Sequence, residues 1–84
     1  MPVILIADDN KQITSILGEY ARKEGFIPKI ALDGFEAMEL FQKFQPLILL
    51  DVMMPKMDGF EVCRNIRKTS NVPVIMITAR GEDF

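Results

Sequence analysis

Short apolar runs alternate along this chain with stretches whose apolar residues recur every three or four positions, the pattern of parallel strands joined by crossover helices. Val3-Ile4-Leu5-Ile6-Ala7 is a continuous run rich in β-branched residues, as a strand covered on both faces requires, and it stops at Asp8-Asp9-Asn10. From Lys11, the residues Ile13, Ile16, Leu17, Tyr20 and Ala21 fall at helical spacing and predict one buried stripe, with Gly25 as a left-handed stop. Ile27 to Leu32 reads as a shorter strand, placed at a sheet edge by Pro28, which has no N–H for the ladder. Asp33-Gly34-Phe35-Glu36 is a capping-box variant, an N-cap acid followed three residues later by Glu. The helix it opens presents Ala37, Leu40, Phe41 and Phe44 and stops before Pro46. Leu47 to Leu50 is the most apolar run and predicts a central strand with Asp51 at its tip. Residues 52–57 form a loop, after which Asp58-Gly59-Phe60-Glu61 repeats the earlier cap signature and opens a third helix. That helix is expected to bury Val62, Cys63 and Ile66, to expose Arg64, Arg67 and Lys68, and to end at Asn71. Val72 to Ile77 predicts a fourth strand, closing at Thr78-Ala79.

With 84 residues, this pattern makes one small α/β domain. No apolar run approaches the roughly 18–20 residues that cross a bilayer, and Met1–Ala7 lacks the basic start of a secretion signal, so no membrane contact and a cytoplasmic location are expected. A net charge of −2 offers no basic surplus for nucleic acid. The single Cys63 and the absence of His exclude an internal disulfide, a Cys/His zinc set and a histidine base. Cys63 lies on an apolar helical stripe and reads as inert core; Met53, Met54 and Met57 read as loop packing, since no Cys or His accompanies their thioethers. Chemistry is therefore left to carboxylates.

Ligands of an open parallel sheet collect outside the carboxyl ends of its strands, where the strand order reverses. If the first and third strands are neighbours, with the second on the far side of the first, Asp8, Asp9 and Asp51 converge on one pocket. Three like charges so close must hold protons or recruit a cation. Mg2+ suits them because it takes one or two carboxylates, prefers oxygen and keeps waters that a phosphate can displace. A carboxylate can also attack phosphorus directly, and Asp51, alone at the tip of the central strand, is the candidate nucleophile. Asn10 is expected to cap the first helix, and Asp33 and Asp58 read as caps alone.

Three segments in order, Ile-Ala-Asp-Asp-Asn at 6–10, Leu-Leu-Asp-Val-Met-Met-Pro-Lys-Met-Asp-Gly at 49–59 and Pro-Val-Ile-Met-Ile-Thr-Ala at 73–79, resemble the receiver domain of bacterial two-component response regulators. The resemblance covers essentially the whole chain and implies a partial flavodoxin-like, doubly wound parallel sheet with strand order 2-1-3-4 and three helices. By motif, Asp51 resembles the phosphoacceptor, Asp8 and Asp9 the acidic metal pair, and Met53 the residue whose backbone carbonyl completes a Mg2+ shell that also includes Asp51. Thr78 resembles the switch hydroxyl, and Ala79 its small neighbour. The implied phosphodonor is a phosphohistidine on a sensor histidine kinase, or a small phosphodonor. The domain is not a turnover enzyme on this reading, although receivers promote their own aspartyl phosphorylation and dephosphorylation.

The chain departs from the family in length: residues 1–84 read as a truncated receiver, without a fourth helix, fifth strand and fifth helix. With them goes the family lysine after the fifth strand, whose motif position neither Lys56 nor Arg80 matches. An unprotected fourth strand and an uncovered sheet face then predict self-association, most simply as a twofold dimer. At Gln45-Pro46-Leu47 one residue fewer than the family pattern is expected to tighten the loop without shifting the strand. Two functions of different class follow: a phosphorylatable signalling domain, or a non-signalling fragment that keeps the acidic metal site and assembles as a structural oligomer, which the missing lysine favours. Flavin or nucleotide binding would want glycines and free N–H groups where Asp8-Asp9 stand. A haloacid-dehalogenase-type phosphatase would want an acid where Met53 stands.

Overall fold

The computed structural model describes residues 2–44 and 47–77. Its elements alternate as predicted: β1 (Val3–Ala7), α1 (Lys11–Lys23), β2 (Ile27–Ala31), α2 (Gly34–Phe44), β3 (Leu47–Asp51), α3 (Gly59–Arg67) and β4 (Val74–Ile77). The strands form one parallel sheet in the order β2-β1-β3-β4. Pro28 lies on an edge strand, and β3 lies in the interior of the sheet. The expected fold class and strand order are therefore those observed. The loop at Gln45-Pro46 and the closing residues Thr78-Ala79 lie outside the described residues.

Alternation along the strands divides the core between two faces. Leu5, Ala7, Ala31, Ile48 and Leu50 join Ala37 and Phe41 of α2, Val62 and Ile66 of α3, and Met54 in one buried cluster. Cys63 is half-buried at its margin rather than fully interior. Ile4, Ile6 and Leu49 face the other way and line a groove with Leu17 and Ala21 of α1.

The stripe predicted for α1 holds at Ala21 and, half-buried, at Leu17, and is corrected at Ile13, Ile16 and Tyr20. The helix buries Thr14, Gly18 and Ala21, whereas Ile13, Ile16 and Tyr20 are 41%, 56% and 63% exposed. Both lines have helical spacing, but the line of smaller residues lets the helix backbone approach the sheet. A Cβ on Gly18 would meet Ile30 Cδ1 at 3.7 Å, an ordinary van der Waals contact, which shows that the helix backbone lies within a methyl group's reach of the sheet. The bulkier apolar residues are consequently turned to the flank.

Ends also differ. Helix α3 stops at Arg67 rather than Asn71: the amides of Lys68 and Thr69 turn to the carbonyls three residues back, Asn65 O and Ile66 O, which tightens the last turn, and the Arg67 guanidinium ties down Val72 O at 2.7 Å. Strand β4 starts at Val74, after Pro73, although Pro73 O still accepts from Ile48 N. Strand β2 ends one residue early, since Leu32 N donates to Glu36 Oε1 at 2.7 Å instead of continuing the ladder. Gly25 has φ +89°, the left-handed stop expected of it.

Candidate functional site

Register brings the acids together. Ala7 pairs with Leu50, so one further step along both strands sets Asp8 beside Asp51, with Ile77 across from Asp51 on its other side. Asp8, Asp9 and Asp51 each offer a carboxylate oxygen, and the three oxygens lie within 4.8 Å of one another. With Asn10, Ile13, Met53 and Ile77 they line a pocket of about 340 Å3 at the carboxyl end of the sheet.

Each acid is held by its local chain. Asp8 is 6% exposed; its N–H donates to Ala31 O and its Oδ1 accepts from Asn10 N at 2.9 Å. Asp9 is exposed at the rim. Asn10 caps α1, its Oδ1 accepting from the amides of Gln12 and Ile13 at 2.9 and 3.2 Å. Asp51 is 8% exposed, and its Oδ1 accepts a long bond of 3.4 Å from Met53 N. Burial pushes the Asp51 carboxyl above its ordinary pKa; the negative charge of Asp8, and to a lesser degree Asp9, pushes it further, against the partial relief of the Met53 and Val52 amides.

The donor set fits a hard divalent ion. Among the described residues the three carboxylates converge without a lysine or arginine in salt-bridge contact, since the one ion pair there, Lys56 Nζ to Asp33 Oδ2 at 3.4 Å, lies elsewhere. Like charges in a pocket of oxygen donors, on a span suited to an ion that retains part of its water, call for such a cation.

The loop after Asp51 begins and ends against the sheet. Val52 N donates to Ile77 O at 3.0 Å, and Gly59 N returns to Val52 O at 2.9 Å. A Cβ on Gly59 would collide with Asp51 O and stand 2.9 Å from Val52 Cα, so only glycine lets α3 start this close to the nucleophile candidate. Gly34 is under the same restriction against Met57, where a Cβ would stand 2.5 Å from the Met57 Cβ. The two Asp-Gly-Phe-Glu copies thus do the same structural work. Asp33 Oδ1 and Asp58 Oδ1 each accept from the amide of the Glu three residues on, at 2.9 Å, and each following glycine permits a close backbone approach.

Of the residues singled out from sequence, Asp8, Asp9, Asp51 and Met53 meet at this pocket. Thr78 and Ala79 lie outside the described residues. Asp33 is more than the cap expected of it, because its second oxygen pairs with Lys56. The Glu36 amide first, and Lys56 in addition, hold the Asp33 carboxyl below its ordinary pKa. No spacing in the sequence links positions 33 and 56; the signal available was the odd placement of a lysine inside an otherwise apolar loop.

The family model for the response regulator receiver domain matches residues 4–84. The transcriptional regulatory protein CpxR homolog of Haemophilus influenzae is 47% identical over 84 residues, all of this chain and 37% of that protein. CpxR of Escherichia coli K12 is 45% identical over the same span and is covered to 36%. This chain therefore spans little more than a third of the curated relatives it matches. Among solved structures, the response regulator TrrA of Thermotoga maritima, in complex with Mg2+ and BeF, superposes with a TM-score of 0.90 at 34% identity, over 98% of this chain and 73% of that one. The receiver domain of the Francisella response regulator 1452 gives 0.88 at 34% identity, over 95% and 68%.

Proposed function

This chain belongs to the family of response regulator receiver domains, and from that membership we propose that Asp51 accepts a phosphoryl group in two-component signalling. The observation that carries the reading is the convergence of the Asp8, Asp9 and Asp51 oxygens within 4.8 Å at the carboxyl end of the sheet. Asp8, Asp9, Asp51 and the Met53 backbone carbonyl are the groups that would hold Mg2+. When bound, the ion neutralises the cluster and draws in an anionic donor. The complex of the Thermotoga relative with Mg2+ and BeF supports that choice of ion.

Asp51 is suited to attack by its position: buried at the strand end, it opens, among the described residues, on the pocket that Ile13, Met53 and Ile77 border. A carboxylate oxygen of Asp51 forms the new O–P bond as the donor's bond to phosphorus breaks. The Met53 amide, already directed at Asp51 Oδ1, fixes which way the carboxylate faces. A phosphohistidine of a sensor histidine kinase is the proposed physiological donor. Thr78, the residue after Ile77, and its neighbour Ala79 are assigned the switch role by motif position alone. The output is a change of surface rather than turnover of a substrate.

The alternative of a structural, non-signalling fragment is not favoured, because the family match extends through all three motifs. Self-association is kept as a property of the signalling domain. It is supported by the exposed Ile75 on β4 and by Ile16 and Tyr20 on the flank of α1.

The test is incubation of this chain and of Asp51→Asn with Mg2+ and acetyl phosphate, followed by intact mass measurement. The parent gains one phosphoryl group, the gain requires Mg2+, and the variant shows none. Absence of any gain in a parent that binds Mg2+ would overturn this reading in favour of the structural alternative.

A further inference from the structure

Residues 52–58 connect the nucleophile candidate to α3, and their middle adopts an unfavourable backbone. Lys56 has φ +71°, the one positive value outside glycine among the described residues. Met57 N donates to Pro55 O at 2.8 Å across it. A three-residue turn with a positive central φ is the rarer and more strained hand of γ-turn, and a lysine gains nothing from adopting it. Such a conformation persists only where its surroundings enforce it.

Two contacts with the start of α2 supply the enforcement. Lys56 Nζ reaches Asp33 Oδ2 at 3.4 Å, while Asp33 Oδ1 is committed to the Glu36 amide, so the acid that anchors the loop is itself fixed to the first helical turn. Directly beside it the backbone of Gly34 is packed against Met57, with no room for a Cβ between them. The loop is thus gripped at Lys56 and Met57 by α2 and at Val52 by Gly59, and Met53 lies between the grips.

We infer that Lys56 is a positioning residue: with Asp33 and the Gly34–Met57 contact it braces the loop against α2 and so holds the Met53 main chain beside Asp51. The inference rests on the roles proposed above for Asp51 and Met53. It also makes the first turn of α2, which contributes no group to the pocket, part of the support of the site.

The test uses Lys56→Met, which keeps the stem and removes the charge, and Asp33→Asn, which keeps an N-cap oxygen and removes the charge. The double variant and Lys56→Arg complete the set. Amide hydrogen exchange at Met57 and Gly59 is measured without metal, and Mg2+ affinity is measured separately by titration. Each single variant is expected to speed exchange at both amides and to weaken Mg2+ binding, each by about three- to fivefold, the scope of a partly exposed ion pair. The double variant should be no worse than the worse single, and Lys56→Arg should behave as the parent. Unchanged exchange in Lys56→Met, or additive effects in the double variant, would overturn the brace. Faster exchange with unaltered Mg2+ affinity would overturn the positioning role. A parent that binds no Mg2+ defeats the reading of the site and the positioning role together, while the exchange data still decide whether the brace exists.

Discussion

At Asp51 the demands of the fold and of the chemistry conflict. The residue is 8% exposed, and burial, then Asp8, then Asp9 raise its proton affinity above the ordinary 3.8. A carboxyl that binds its proton more tightly folded than unfolded lowers stability as pH rises through its folded-state pKa; the loss is complete above that value and absent below 3.8. Asp51→Asn removes the charge with little change of shape. In metal-free buffer the variant should therefore melt above the parent at neutral pH. The gap should close as pH falls toward 4. Differential scanning calorimetry of the pair across pH decides it, and a variant no more stable than the parent at pH 7 would mean that the carboxylates do not strain the fold. The acids themselves were legible as residues ending apolar runs. The Lys56–Asp33 pair was not, because a contact across 23 positions leaves no periodic trace.

Among the elements, the helices show how local signals were decided. Caps are written into consecutive residues: Asn10, Asp33 and Asp58 all accept from helix amides as their positions predict. For α3 this is decisive, since its mere nine residues cannot hold a helix by propensity alone. Asp58→Ala should lower stability by about 1 kcal/mol, and Asp58→Asn by much less. Urea unfolding of the two variants measures this, and equal losses would show that the carboxylate, rather than the capping oxygen, matters. The buried line of α1 departs from the hydropathy pattern for a related reason. Hydropathy ranks Ile16 and Tyr20 above Thr14 and Gly18, but the closeness of helix to sheet selects the smaller side chains.

At the scale of the whole molecule, the two faces of the sheet are unequally covered among the described residues. One carries α2 and α3 over a closed core; the other carries α1 and a groove along Ile4, Ile6 and Leu49. Ile75 on β4, the end strand of the described sheet, is 63% exposed. If these surfaces associate, this chain should sediment as a concentration-dependent dimer, and Ile75→Lys should shift it toward monomer when β4 is the contact. A cooperatively melting monomer at every concentration in sedimentation velocity would exclude self-association. The order of apolar runs and caps determined by itself the alternation of strands and helices, and it placed an acid after each of two strands, because those properties reside in neighbouring residues. Tertiary structure alone decided the register, Ala7 opposite Leu50, by which Asp8 and Asp51 come to lie side by side. It alone decided which face of α1 is buried and that α2 grips the loop beyond β3. These depend on distances between segments remote in the chain, and side-chain volume and backbone approach set them only once the sheet has formed.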